Sequence, residues 1–152
     1  MNNNFDAEFQ QLFTKMVEIA HEYVGRNKEE VGCIYIYASM ENKEIFYNVF
    51  YSIKGNITKA HKVNDFLPDD PATPSMNRQL LKIGTGFLNE TSALFEKHNM
   101  EVPTLMKMTY KPKTGAFDND INYDLHHSNH SERTEVDGFN EWFEEIKSTV
   151  TH

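Results

Sequence analysis

The sequence predicts an α+β domain in which a mainly antiparallel sheet of four to five strands carries helices packed on one face. Two observations lead to this fold class. Residues 31–53 and 104–124 are each predicted to form two strands joined by a short turn, and strands joined in this way pair antiparallel. Segments with helical periodicity precede, separate and follow these hairpins, which gives the order α-β-β-(β)-α-β-β-α. The 152 residues suit one domain, 1–152.

The first half of the chain begins with a helix and continues into the first hairpin. Apolar residues recur every three or four positions in residues 5–23, which predicts one buried helix face. Residues 31–38 are apolar on both alternating sides, as in an interior strand. Residues 45–53 alternate and form its partner, while the more polar residues 57–63 could add a third strand at a sheet edge. The first hairpin therefore accounts for two or three strands.

A loop rich in proline and aspartate, residues 64–74, leads to a second helix that begins near Pro74 and ends before Asn99. This helix contains Gly84 and Gly86. A nucleotide-binding loop needs Gly-x-Gly between a strand and a helix, with a third glycine. The small residues therefore favour close packing of the helix on the sheet.

The second hairpin and a last helix follow. The strand predicted at residues 116–124 alternates, so Phe117, Ile121 and Tyr123 should be buried while the aspartates at the alternate positions are exposed. The aspartates are Asp118, Asp120 and Asp124. The last helix is marked by Phe139, Trp142, Phe143 and Ile146.

Charge limits the classes of partner. The chain has 15 basic and 23 acidic residues and a net charge of −8, whereas nucleic acids and anionic membranes attract positive surfaces. Residues 117–152 hold nine acidic residues against Arg133 and Lys147, so most of the excess lies there. A basic protein partner fits this distribution. No leader or membrane-spanning stretch is evident, and we expect a cytoplasmic protein.

The aspartate pattern at 118–124 resembles the start of a calcium-binding EF-hand loop, but two positions do not match. Tyr123 stands where the loop needs glycine, and Asn129 stands where it needs a bidentate glutamate. Alternation with apolar residues favours a strand with a solvated acidic face instead. We therefore predict no calcium site.

Three histidines could bind zinc with Asp124, namely His126, His127 and His130. Their spacing matches no zinc motif, so an exposed loop is the alternative interpretation. The lone Cys33 lies in an apolar strand without a neighbouring base. We therefore predict no metal, cofactor or catalytic residue and no enzymatic activity.

Several short strings, in order, resemble the YezG-like immunity family of Gram-positive bacteria, which neutralises LXG-type polymorphic toxins. They comprise Val-Gly-Cys-Ile-Tyr-Ile-Tyr-Ala at 31–38, Phe-Tyr-Asn at 46–48, Leu-Phe-Glu at 94–96, Pro-Thr at 103–104, Thr-Gly-x-Phe at 114–117, Ile-Asn-Tyr-Asp at 121–124, Ser-Glu-Arg at 131–133 and Trp142. The similarity spans residues 7–147.

The resemblance implies a non-enzymatic antitoxin that binds a cognate secreted toxin domain, commonly a nuclease. A nuclease carries a basic cleft for its polyanionic substrate, and an acidic surface would complement it. The candidate partner-binding residues are Asp118, Asp120, Asp124, Glu132, Glu135, Asp137, Glu141, Trp142 and Glu145. The alternatives are a cytoplasmic adaptor or structural domain and a small metal-binding protein that uses the histidine and aspartate residues.

Overall fold

The order of helices and strands confirms the prediction. The computed structural model describes residues 3–24, 29–66, 72–125 and 134–150. The helices are α1 (Asn3–Tyr23), α2 (Pro74–Lys97) and α3 (Glu135–Val150). The strands are β1 (Val31–Ser39), β2 (Phe46–Ile53), β3 (Asn56–Lys59), β4 (Leu105–Lys111) and β5 (Ala116–Asn122).

The strands form one five-stranded antiparallel sheet in the order β3-β2-β1-β4-β5. The third strand lies at an edge, as predicted, but it is shorter than residues 57–63. A 3-10 helix, Ala60–Asp65, replaces its second half. Ala60 and Val63 are both buried, and residues three apart point the same way in a 3-10 helix but not in a strand.

Helices α1 and α2 cover one face of the sheet, called here the α1/α2 face. The fully buried Ile34 and Ile36 of β1 lie in the core beneath them. Two tyrosines of β2 fix α1 by hydrogen bonds to its carbonyl oxygens: the Tyr47 hydroxyl donates to Met16 at 3.0 Å, and the Tyr51 hydroxyl donates to Ala20 at 2.5 Å. Because these polar groups are buried, the bonds select one position of α1 on the sheet.

Helix α3 packs on the opposite face, called here the α3 face, so the expectation that all helices lie on one face was wrong. The contact is aromatic and joins α3 to β1 and β2; its core residues are Phe139, Trp142, Phe143, Tyr37 and Phe50, with Tyr35 and Phe46 packed against them. The reason is the apolar character of both sides of β1. A strand with two apolar sides needs a layer of protein on each.

Gly84 allows α2 to lie directly against β2. A Cβ atom at position 84 would overlap the buried ring of Tyr47. Gly86, two residues further on, is exposed, and nothing lies within 4 Å of a Cβ at its position. The predicted role of the small residues in close packing thus belongs to Gly84.

We expect Gly84→Ala to lower the free energy of unfolding by about 1–3 kcal/mol, the usual cost of overpacking a core. Gly86→Ala should raise it by about 0.5–1 kcal/mol, because alanine loses less backbone entropy in a helix. Urea denaturation followed by circular dichroism measures both. Stabilisation by both substitutions would contradict the close approach of α2 to Tyr47.

Candidate protein-interaction surface

Strand β5 forms one edge of the sheet. It pairs with β4, from Lys111 opposite Ala116 to Leu105 opposite Asn122. No strand among the described residues pairs with its other side. Five of its seven side chains are exposed. The segment is therefore a strand, as predicted, and not a calcium-binding loop.

The apolar side of β5 is more exposed than the sequence predicts. Phe117 and Ile121 are 36% and 37% exposed, and Tyr123, just beyond the strand, is 47% exposed. Their predicted burial was wrong. Alternation correctly places Phe117 and Ile121 on the α1/α2 face, but that face is only partly covered at this edge. Helix α1 reaches it through Phe13, whose ring stacks on Phe117 at 4.8 Å.

A groove of about 380 Å³ separates α1 from β4 and β5 on the same face. It is lined by Gln10, Phe13, Thr14, Val17, Glu18, His21, Tyr110 and Phe117. Four of these side chains are apolar or aromatic and four are polar, Glu18 and His21 among them. Concave sites with aromatic walls and several polar groups are typical of pockets that bind a side chain of a partner. The groove and the exposed row on β5 share Phe117, so the two features adjoin at this residue.

The other side of β5 carries two exposed carboxylates. Asp118 lies opposite Thr109, and Asp120 lies opposite Lys107. The Lys107 Nζ lies 5.7 Å from the centre of the Trp142 ring. Within the described ranges neither carboxylate forms an ion pair. Asp124, after the strand, is exposed as well, so the predicted exposure of all three aspartates is confirmed.

We define the β5 surface by five residues that belong to these two rows. It comprises Phe117, Ile121 and Tyr123 together with Asp118 and Asp120. One edge strand thus presents large apolar groups on one side and, on the other, two carboxylates that form no ion pair with the described residues.

The candidate residues of α3 lie on a helix and not on the edge strand. Helix α3 contacts β3, where the Lys59 Nζ donates to Asn140 at 2.7 Å, and it reaches β4, where the Lys107 Nζ lies 5.7 Å from the centre of the Trp142 ring. Asp118 and Asp120 lie opposite Thr109 and Lys107 of β4 and therefore point to the same face of the sheet as α3.

The individual α3 candidates differ in their surroundings. Glu141 and Glu145 are exposed, and Glu135 is partly buried. Asp137 accepts a hydrogen bond from the Thr134 backbone N–H at 2.8 Å, at the start of the helix. Trp142 is only 6% exposed and packs within the aromatic core, so we leave it out of the proposed contact surface. Glu132 lies outside the described residues.

The candidate metal ligands and the candidate nucleophile do not form a metal site or an active site in the described part of the chain. His126, His127 and His130 lie outside it. Among the residues that are described, no three histidine, cysteine or acidic side chains could hold a metal ion together. Burial raises the pKa of the Cys33 thiol, which disfavours its nucleophilic thiolate form.

We expect the purified chain, without an affinity tag, to contain neither zinc nor calcium in stoichiometric amount and to lack hydrolase activity. The reason is the incomplete ligand set in the sequence. Elemental analysis checks this directly. One metal ion per chain that is lost in His126→Ala or Asp120→Ala would contradict the prediction.

Groove-lining residues such as Phe13 and Tyr110 were missed by the sequence analysis. Their helical or alternating positions indicate burial in general, and only the strand order shows that they flank an open edge.

None of the described helices is long and apolar enough to cross a membrane. Searches against protein-family models and against curated proteins find no match for this chain. The resemblance to the YezG-like family therefore stays a prediction.

Proposed function

We propose that this chain is an immunity protein that binds and neutralises a cognate secreted bacterial toxin domain through the β5 surface. The observation that carries the proposal is the edge strand itself. Its Phe117, Ile121 and Tyr123 are exposed, Phe117 also lines the neighbouring groove, and exposed apolar patches mark protein interfaces. The class of partner comes from the resemblance of the ordered strings to YezG-like proteins, which stays a prediction.

Charge supports a basic partner. Asp118 and Asp120 are exposed and lack ion pairs in the described part of the chain, so a cationic surface can meet them without breaking an existing contact. A toxin that cleaves nucleic acid needs a positive cleft. Binding there would block the substrate and accelerate encounter between the two proteins.

Co-production with a toxin domain tests the proposal. The genes beside this one are searched for an LXG-type protein, and its toxin domain is induced in a bacterial host, with and without this chain. We expect growth to be rescued and a stable complex to elute in size-exclusion chromatography. Rescue should be lost with Ile121→Arg, which places a charge in the exposed apolar row.

The matched control is Ile83→Arg, because Ile83 is also exposed, at 44%, but lies on α2. It should retain rescue. Growth arrest that persists with the wild-type chain, together with the absence of a complex, would contradict the immunity function. Equal loss of rescue in both variants would contradict the assignment of the contact to β5.

A further inference from the structure

The two edges of the sheet differ in how they are protected against another strand. Strand β3 has only four residues, its Ile57 and Thr58 are buried, and Lys59 is held by Asn140. Short edge strands and lysines are common means of preventing edge pairing. Strand β5 has seven residues and neither lysine nor proline. Its edge is the one suited to accept a strand.

We propose that β5 binds its partner by strand addition, and that the partner contributes an extended segment in which apolar and basic side chains alternate. This inference rests on the proposed function and specifies how the partner is recognised. An added strand continues both faces of the sheet, so its alternate side chains fall next to the two rows of β5. Apolar side chains would meet Phe117 and Ile121, and lysine or arginine would meet Asp118 and Asp120.

Charge argues against a second copy of this chain as the occupant. In an antiparallel pair of two β5 strands, side chains of the same face lie side by side across the new ladder. In the register that pairs all seven residues, Asp118 of each copy would therefore lie beside Asp120 of the other. Like charges opposite each other destabilise a strand pair. The same carboxylates that oppose self-pairing attract a basic segment.

Synthetic peptides test this recognition with the intact chain. One peptide alternates valine and lysine, a second has the same composition in separate valine and lysine blocks, and a third alternates valine and glutamate. Each is added at about 1 mM, because a short peptide pays the cost of ordering and binds weakly. Residue-resolved amide hydrogen exchange by NMR gives the readout.

We expect the valine–lysine peptide to slow exchange by about tenfold at alternate amides of residues 116–122, since only every second N–H points away from β4. The block peptide and the valine–glutamate peptide should leave exchange unchanged. Asp118→Lys combined with Asp120→Lys should weaken binding of the valine–lysine peptide about tenfold and permit binding of the valine–glutamate peptide. Both side chains are exposed, so the fold should be retained, which circular dichroism verifies.

Several results would overturn the inference. They are no binding of the alternating peptide, equal binding of the block peptide, and binding without protection of β5 amides. Protection that rises with protein concentration in the absence of peptide would show that a second copy occupies the edge. Toxin neutralised without protection of β5 would overturn this inference and leave the immunity function intact. If the peptide adds to β5 but the chain neutralises no toxin, the immunity function is contradicted and strand addition at β5 is retained.

Discussion

Replacing Trp142 with alanine should lower the free energy of unfolding by about 3–5 kcal/mol, the usual cost of removing a large aromatic side chain from a core. The ring is 6% exposed. It packs edge to face on Phe50, with ring centres 5.0 Å apart, and on Tyr35 at 5.7 Å. Because a domain is typically stable by only about 5–15 kcal/mol, the variant should be close to unfolding. Urea denaturation followed by circular dichroism measures the loss.

Two substitutions on the same helix control for this result. Trp142→Phe keeps an aromatic ring in the core and should cost less than the alanine variant. Val136→Ala changes a side chain that is 48% exposed, and its effect should stay within about 0.5 kcal/mol. A loss below about 1 kcal/mol for Trp142→Ala would contradict the packing of α3 on the sheet. Trp142 is the only tryptophan, so its fluorescence in the wild-type chain reports on this packing.

The periodicity of the sequence predicted most of the fold, because apolar and polar residues alternate with the period of a helix or a strand in most of its elements. Residues 31–38 are apolar on both sides, and this pattern correctly predicted the central strand. The same pattern requires a layer of protein on each face of the sheet, and the prediction that all helices pack on one face did not take this into account. Periodicity identifies which residues of an element share a side. It does not assign a helix to one face of the sheet or the other.

The candidate site was predicted only in part, for a related reason. Alternation correctly separated Phe117 and Ile121 from the aspartates of β5, but the degree of burial depends on how far α1 extends over the edge. The groove requires α1, β4 and β5 to be adjacent, which is a property of strand order. The negative charge was evident from composition, whereas the structure shows which elements carry it: the aspartates lie on and just after the edge strand β5, and exposed glutamates lie on α3.

Reversing the β5 charges should slow association with the toxin domain by about ten- to a hundredfold at low ionic strength. The variant combines Asp118→Lys, Asp120→Lys and Asp124→Lys, three exposed residues at one edge of the sheet. Attraction between this edge and a basic cleft steers encounter, so its loss should appear mainly in the association rate. Stopped-flow measurements of the two purified proteins give this rate. The wild-type rate should fall as salt rises, because exposed charges are screened over about 10 Å at 0.1 M.

The matched control reverses three exposed acids away from β5, namely Asp65, Glu90 and Glu96. Glu18 is unsuitable because it lines the groove. Both triple variants change the net charge equally, so a larger effect of the β5 variant isolates the position of the charges from their number. Equal slowing by the two variants would mean that only total charge steers the encounter. If the β5 variant associates at the wild-type rate, the basic surface of the toxin meets another part of the chain, and the exposed acids of α3 become the next residues to reverse.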